Sequence, residues 1–341
     1  MRRHTIKNHI AAITKDDGES TRSQQQVAEE FLTFYKKLLG SEEVCRLVNT
    51  LVIDCGPILV KEQAKVMVEE VSDKEIKDSL FSTGEDRSPG PDGFTSGFFK
   101  GAWNIIGKEF TLVNAKILAN RIKPWLEVLV NKAQSAFIGH RCMIENIYLV
   151  QELVRKYARK RVSPRCMLKI DLKKAYDSIS RDFLRSMLEL LKFPKAMKGW
   201  MMQCVGTTSY SLSINRGMYG LFEGKKGLKN KVTPYPILFV ICMDYLSRLL
   251  KSLESSLEII FHPKCAYLKI TYLAFADDLT LFAKGDYSSI KKVMECLDLF
   301  YECSRLRASV LKYNLYYAGL NDNALDEIES LTGFPRGEFH F

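Results

Sequence analysis

The stretch AFADDLTLF, residues 274–282, places two adjacent aspartates, Asp277 and Asp278, inside an apolar run. Successive side chains of a strand point to opposite faces of a sheet, so a continuous strand would turn one carboxylate toward the core. Burying an unpaired carboxylate is costly. The longer segment YLKITYLAFADDLTLFAKG, residues 267–285, is therefore predicted to form two strands that meet in a hairpin near this pair.

Two carboxylates at the tip of a hairpin repel each other. A divalent cation would remove this repulsion, and oxygen ligands of this kind suit Mg²⁺. Aspartate is also common in ordinary turns. On spacing alone, a metal-binding tip and a simple turn are equally good interpretations of Asp277 and Asp278.

A further carboxylate, Asp171, lies near the end of the apolar stretch CMLKIDL, residues 166–172. This stretch is predicted to be a strand, which would put Asp171 at the rim of a sheet rather than in the core. Because 277 − 171 = 106 residues separate Asp171 from Asp277, their proximity is a prediction about tertiary structure. A two-metal phosphoryl-transfer site needs such a carboxylate from elsewhere in the fold.

Periodicity and capping signals place several helices among the strands. A helix begins at the Ser180 N-cap and stops at Pro194, and a shorter one over 73–81 follows Ser72, which lies three residues before Glu75. Since helices and strands mix without strict alternation, we predict an α+β fold. The other predicted helices span 24–40, 111–130, 142–160, 236–252 and 287–303, and a further strand at 210–214 precedes the turn signal NRG.

The composition favours an anionic partner and a reduced environment. Fifty Lys and Arg against 40 Asp and Glu give a net charge of +10, which fits nucleic acid binding but equally a solvated basic surface. Nine cysteines without a C-x-x-C pair fit a reduced intracellular protein and show no zinc-binding pattern. The apolar run ILFVICM, residues 237–243, is too short to span a membrane.

Two motifs, AFADDLTLF and KIDLKKAYDSI (169–179), resemble the catalytic motifs of reverse transcriptases. The surrounding sequence is similar to that of LINE-type non-LTR retrotransposon polymerases, particularly those of plant genomes. Three further blocks follow in the family's order, and the ordered set is specific although each piece is modest. These blocks are RSPGPDGFTSGFFKGAW (87–103), KILANRIK (116–123) and QSAFIGHRCMIENIYLVQEL (134–153).

The resemblance implies a right-hand polymerase fold: a palm whose antiparallel sheet packs on helices, with partial fingers and no thumb. It divides the chain into an N-terminal helical extension or linker (1–80), partial fingers (81–165) and a palm (166–341) that ends before the primer grip and thumb. It implies an RNA template, a DNA primer and deoxynucleoside triphosphates as partners, with two Mg²⁺ ions, Mn²⁺ being an alternative. The family resides in the nucleus, and the cytoplasm is the alternative.

The resemblance also assigns roles to single residues. Asp171 and Asp277 match the ligands that bridge both metals, and Asp278 matches the neighbouring acid. Tyr176 matches the aromatic that crowds the 2′ position of the incoming nucleotide; the alternative is a plain core aromatic. Lys312 matches a lysine near the leaving pyrophosphate, and a solvated surface lysine is the alternative.

Two basic runs are candidates for a nucleic-acid track, RKYARKRVSPR (155–165) and KKGLKNK (225–231). Phosphate contacts there would give affinity without sequence specificity. For the first run, a solvated charged surface is the competing interpretation.

The sequence departs from the family pattern at several places. The chain passes from AWNIIGKEF (102–110) straight to TLVNAKILANRI, where the family inserts several dozen residues with basic fingers strands. GLKNKVTPYPILFV (227–240) replaces the family's Gly-Leu-Arg-Gln-Gly-Asp-Pro-Leu-Ser-Pro. His140 and Arg305 stand where the family has glycine.

These departures lead to two functional hypotheses. The first is an RNA-directed DNA polymerase domain, impaired by the missing fingers segment and thumb. The second is a catalytically inactive retrotransposon remnant whose palm still binds nucleic acid. A generic Mg²⁺ phosphohydrolase would use the same acids, but it would need a water-activating base that the sequence does not offer.

Overall fold

A computed structural model of the chain describes residues 9–15, 18–21, 23–41, 44–84, 94–103, 115–155, 162–172, 175–206, 209–228, 235–254, 261–262, 265, 267, 269–307 and 313–337. Within these residues the helices are α1 (Gln24–Leu39), α2 (Thr50–Ile53), α3 (Lys61–Val66), α4 (Asp73–Phe81), α5 (Ser96–Gly101), α6 (Ala115–Leu129), α7 (Met143–Val154), α8 (Ala175–Ser178), α9 (Arg181–Leu190), α10 (Lys195–Gly206), α11 (Tyr235–Glu254), α12 (Tyr287–Ser304) and α13 (Asp322–Thr332). The strands are β1 (Arg165–Asp171), β2 (Ser209–Ile214), β3 (Gly217–Glu223), β4 (Tyr272–Phe275), β5 (Asp278–Lys284) and β6 (Asn314–Ala318).

Four strands form an antiparallel sheet in the order β4-β5-β1-β6. The remaining two strands, β2 and β3, form a separate hairpin. Asn215 and Arg216 at its turn have positive φ, as the turn signal NRG predicts. The predicted α+β class, with an antiparallel sheet packed on helices, is confirmed.

Strand β1 is buried on both faces because helices cover the sheet on each side. Cys166, Leu168 and Ile170 belong to the main core, which also contains much of α11 and α9. Met167 points the other way, into a smaller cluster with Leu153 of α7. Since side chains alternate along a strand, Asp171 shares the face of Met167, the one that α7 partly covers.

The helices that the sequence predicts are present, although α9 ends at Leu190 rather than at Pro194 and α7 ends at Val154 rather than at residue 160. Two of the predicted starts are confirmed by their caps. The Oγ of Ser180 accepts a hydrogen bond from the Phe183 N–H at 3.3 Å, and Ser72 caps α4 in the same way through the Glu75 N–H. Helix α1 forms as the sequence predicts, but its apolar side chains are only partly buried. Val27 lies in a small core, whereas Phe34 is 54 % exposed.

The segment that precedes α4 packs against the rest of the chain. Val52, Ile53, Leu59 and Met67 are buried in the main core. The predicted domain boundaries at 80 and 165 stay predictions. None of the helices described here is long and apolar enough to cross a membrane.

Candidate active site

The two adjacent aspartates lie at a tight hairpin between β4 and β5. Phe275 and Asp278 are register partners, so Ala276 and Asp277 form the turn between them. Ala276 has a φ of +55°, which the compact hairpin turns require and which glycine usually supplies. The predicted hairpin is therefore confirmed, with Asp277 in the turn and Asp278 as the first residue of β5.

The third aspartate lies directly across the sheet from this hairpin. Asp171, the last residue of β1, is the register partner of Asp278. Opposed residues of antiparallel strands project to the same face with Cβ atoms about 4.5–5.5 Å apart. Because Asp171 is half-buried and Asp278 exposed, the two carboxylates meet at the rim of the sheet, as the sequence predicts for Asp171.

Asp277 is tied to the chain that leaves β1. Its carbonyl oxygen accepts a hydrogen bond from the Leu172 N–H at 3.4 Å. Asp277 also influences Tyr176 in α8. Burial raises the pKa of the Tyr176 phenol to about 12, and the negative charge of Asp277 adds to this rise. Asp277 thus lies close to the segment that carries both Asp171 and Tyr176.

Tyr176 combines features of a core residue and of a site residue. Its ring is half-buried and stacks on Phe239 of α11, with ring centroids 4.5 Å apart and an interplanar angle of 30°. Tyr176 belongs to the segment that follows Leu172, whose N–H donates to the Asp277 carbonyl in the turn. The aromatic is therefore held rigidly next to the aspartates.

A short loop that contains Gly227 and Leu228 is hydrogen-bonded to the segment around Tyr176. The Leu228 N–H donates to the Tyr176 carbonyl at 2.5 Å, and the Gly227 N–H donates to the Ile179 carbonyl at 2.9 Å. Gly227 has a φ of +79°, and a Cβ there would lie 2.6 Å from the Asp177 carbonyl oxygen. Only glycine fits this approach, so the Gly-Leu pair that matches the family motif has a structural role.

The aspartates fit a hard divalent cation in their donor chemistry. Within the described ranges, no group of three or more His, Cys, Asp or Glu side chains is arranged to hold a metal ion. Mg²⁺ usually takes only one or two protein carboxylates, together with substrate phosphates and water. The opposed pair Asp171 and Asp278, with Asp277 beside it, meets that lower requirement.

A cleft of about 510 Å³ opens beside the aspartates, between α7 and the sheet face that carries Asp171. Asp278, Lys169 and Thr280 line its sheet side, and Ile147 and Val150 line its helix side.

Family comparison decides what kind of protein this arrangement belongs to. A model of the family described as reverse transcriptase (RNA-dependent DNA polymerase) matches residues 104–331. This chain is a member of the reverse transcriptase family. The matched range contains Asp171, Tyr176, Asp277 and Asp278.

Two curated relatives of this reverse transcriptase are transposon proteins. The Transposon TX1 uncharacterized 149 kDa protein of Xenopus laevis is 18 % identical over 88 % of the chain, and the Pol polyprotein from type-1 retrotransposable element R2 of Nasonia vitripennis is 28 % identical over 50 %. The chain spans only 26 % and 16 % of their lengths. The predicted LINE-type non-LTR reverse transcriptase is confirmed, while the plant-like origin stays a prediction.

Solved structures similar to this reverse transcriptase include two telomerases, each in complex with a TWJ fragment of telomeric RNA. The Candida albicans telomerase is 12 % identical, with a TM-score of 0.45, and the match covers 67 % of this chain and 36 % of that one. The Candida tropicalis telomerase is also 12 % identical with a TM-score of 0.45, and the match covers 91 % and 48 %.

The remaining predicted residues of the reverse transcriptase are placed only in part. Lys312 lies outside the described residues, as do positions 156–161 and 229–231 of the two basic runs. Lys225 and Lys226 of the second run line a cavity of about 300 Å³. Other charged side chains of this cavity are Arg181, Arg185 and Arg305, with Asp182 and Glu223.

Sequence reasoning missed one side chain that touches the turn directly. Gln134, 142 residues away in sequence, hydrogen-bonds the backbone of Ala276. Its segment, QSAFIGHR, belongs to one of the blocks that resemble the family. No periodicity or spacing in this segment predicts a contact with the turn. Only the tertiary structure brings the two together.

Proposed function

We propose that this chain carries out RNA-directed DNA synthesis, adding nucleotides to a primer 3′-hydroxyl. The observation that carries the proposal is the opposed pair Asp171 and Asp278 beside the Asp277 turn, within a reverse transcriptase family match. The proposed partners are an RNA template, a DNA primer and deoxynucleoside triphosphates. In the polymerase fold we assign residues 166–341 to the palm and 81–165 to partial fingers.

The three aspartates are the proposed ligands for two divalent cations, Mg²⁺ or alternatively Mn²⁺. When bound, such ions lower the pKa of the attacking hydroxyl and neutralise charge on the triphosphate. The chain's own contribution is positioning: β1 and the β4–β5 hairpin hold the carboxylates at one rim. Their mutual repulsion makes this rim favourable for cations.

Tyr176 is the proposed nucleotide-contacting aromatic. It is held by stacking on Phe239 and by the hydrogen bond from Leu228 to its carbonyl. Since burial keeps the phenol neutral well above pH 10, it offers an uncharged surface next to the aspartates. Lys312, the proposed residue near the leaving pyrophosphate, depends on the family resemblance alone.

The second candidate function is nucleic-acid binding without catalysis. It is favoured by one sequence observation, the missing fingers segment between Phe110 and Thr111, since basic groups there would neutralise the incoming triphosphate. The basic cavity around Lys225 and Lys226 would remain as a contact for phosphates.

Primer extension by the full chain on an RNA template with Mg²⁺ tests the proposal. Asp277→Asn is expected to lower the extension rate at least about 100-fold, the scale of losing one electrostatic stabiliser of the transition state. Asp298→Asn, at an exposed position of α12, is the matched control and should leave the rate unchanged. Equal rates for wild type and Asp277→Asn would refute catalysis by these acids.

Salt-dependent binding to an RNA–DNA hybrid separates the two candidates. Binding that weakens steeply with salt, without any extension, would support the non-catalytic function. Absence of binding would refute that alternative.

A further inference from the structure

The loop that joins α6 to α7 lies against the β4–β5 hairpin. Its backbone follows β4: Gln134 and Ala274 form a parallel bridge, and the Ser135 N–H donates to the Ala274 carbonyl at 3.0 Å. The Ala274 N–H in turn donates to the Ala133 carbonyl at 2.9 Å. This loop therefore extends the edge of the sheet beside the aspartate turn.

Gln134 reaches from this loop into the turn itself. Its side-chain Nε2 donates to the Ala276 carbonyl at 3.2 Å, and its Oε1 accepts from the Ala276 N–H at 3.0 Å. Oε1 also accepts from the Ala136 N–H at 3.0 Å. Gln134 is only 2 % exposed, so one buried amide satisfies both backbone groups of the residue before Asp277.

The turn needs such support because its first residue is strained. Ala276 adopts a φ of +55°, a left-handed conformation in which its Cβ lies too close to the following carbonyl oxygen. Ala276 is also buried, so its N–H and carbonyl have no easy alternative partner in water. Removing the amide would leave two backbone groups of the turn unsatisfied in the conformation that they now hold.

Gln134 is itself fixed in place. The guanidinium of Arg141 donates to the Gln134 carbonyl and to the Asn131 carbonyl, both at 2.7 Å, and to the Val130 carbonyl at 3.0 Å. The amide therefore meets the turn from a rigid loop, which is what accurate placement of a neighbouring ligand requires.

We propose that Gln134 is a positioning residue that holds the Ala276–Asp277 turn in its positive-φ shape and thereby sets how well Asp277 binds a divalent cation. The part that concerns the cation rests on the proposed function. The part that concerns the shape of the turn stands on the hydrogen bonds alone. Partners of this kind, one step removed from a metal ligand, commonly change metal affinity 10–100-fold when lost.

Gln134→Met tests the proposal because it removes the amide and keeps the length of the side chain. Ser135→Ala is the matched control, since the Ser135 hydroxyl donates to the Ala274 carbonyl from the same loop but does not touch the turn. Hydrogen–deuterium exchange of the peptide spanning 272–282 reports the turn. The dissociation constant for Mn²⁺, measured by electron paramagnetic resonance, reports the ligands.

We expect Gln134→Met to raise exchange in this peptide and to weaken Mn²⁺ binding about 10-fold, while Ser135→Ala changes neither. Ala276→Gly, which adopts positive φ without strain, should partly restore protection in the Gln134→Met background. A purely structural loop residue would not be rescued by a change in the turn.

Unchanged exchange and unchanged Mn²⁺ affinity in folded Gln134→Met would overturn the proposal. If Gln134→Met does not fold, Gln134→Glu replaces it, because the carboxylate keeps the acceptor for the Ala276 N–H and loses the Nε2 donor; the same outcomes apply. A wild-type chain that neither extends a primer nor binds Mn²⁺ would refute the proposed function. Hydrogen–deuterium exchange of the peptide spanning 272–282 would then still test whether Gln134 holds the turn.

Discussion

At the scale of single residues, two of the non-glycine residues that have positive φ, Arg305 and His140, occupy positions where the family resemblance implies glycine. Arg305 follows α12 with a φ of +66°, and its N–H donates to the Tyr301 carbonyl at 2.8 Å, a helix end that glycine usually makes. His140, just before Arg141, has a φ of +60°. The left-handed conformation that glycine favours is therefore present at both positions with another residue in place.

Arg305→Gly is expected to stabilise the folded chain by about 0.5–1 kcal/mol, because relief of the left-handed strain exceeds the extra entropy of the unfolded chain. Urea unfolding measures the change. Arg307→Gly is the matched control. Arg305 and Arg307 both place their guanidinium over the Tyr301 ring, at 5.6 and 4.2 Å, but Arg307 has no positive φ. If both variants lose stability equally, the conformational explanation is wrong.

These residues also show where the sequence stops being informative. The resemblance identifies both departures from glycine. It does not show that the backbone is left-handed at these positions, because φ depends on tertiary contacts around each of them. The sequence does not predict the contact of Gln134 with Ala276 either. The partners of Gln134 are backbone groups, which every residue type carries. Asp171 and Asp278 differ in this respect, because strand ends and a hairpin signal place them at a sheet rim.

At the scale of elements, continuous apolar runs and capping residues predict β1, β4, β5 and most long helices. The patterns predict neither α10 nor β6. Helix α10 contains Gly199, which lowers helix propensity. Strand β6 is a short edge strand whose buried residues, Leu315 and Ala318, do not alternate regularly, and it owes its conformation to pairing with β1.

The loop at Gly227 is an element-scale contact that holds the segment around Tyr176. Gly227→Ala places a Cβ 2.6 Å from the Asp177 carbonyl oxygen at a φ of +79°. We expect a loss of at least about 1–2 kcal/mol in the free energy of unfolding, because the hydrogen bonds to Ile179 and Tyr176 must lengthen. The KM for nucleotide in primer extension should rise as Tyr176 shifts.

Gly199→Ala serves as the control for this prediction. A Cβ at Gly199 meets nothing within 4 Å, so this change inside α10 should stabilise the chain by about 0.5–1 kcal/mol. Similar effects of the two substitutions would mean that the close approach at Gly227 is not what holds the loop.

At the scale of the whole molecule, a buried ion pair joins distant parts of the chain. Arg248 and Asp244 of α11 contact each other at 2.6 Å and are 2 % and 3 % exposed. Arg248 also donates to the carbonyls of Ile53 and Pro57, and Asp244 accepts from the Asn131 N–H. The pair thus connects α11 with the end of α2, with the segment that follows α2 and with the residues that follow α6.

Arg248→Leu is expected to cost about 3–5 kcal/mol, since it leaves the Asp244 charge buried without a partner. Arg155→Leu, which breaks an exposed pair with Glu152 at 3.3 Å, should cost under about 1 kcal/mol. Adding Asp244→Asn to Arg248→Leu should recover part of the loss. A purely additive double variant would argue against the ion pair as the cause.

Burial of phenols across the molecule makes the fold sensitive to alkali. Burial raises the pKa of Tyr235 and of Tyr245 to about 12, in addition to Tyr176. In the unfolded chain these groups lose their protons near pH 10, whereas the folded chain keeps them up to about pH 12. The unfolded state therefore binds fewer protons in this window, and stability falls as the pH rises from 10 to 12.

Urea unfolding at pH 8, 10 and 11, followed together with the ultraviolet absorbance of phenolate, measures this fall. Below pH 10 these three phenols should contribute no pH dependence, and between pH 10 and 11 their phenolate form should appear chiefly on unfolding. Tyr245→Phe should flatten the decline, because Tyr245 is fully buried; Tyr267→Phe, at a position 96 % exposed, should leave it unchanged. Equal slopes for both variants would mean that burial of Tyr245 does not govern the alkaline limit of the fold.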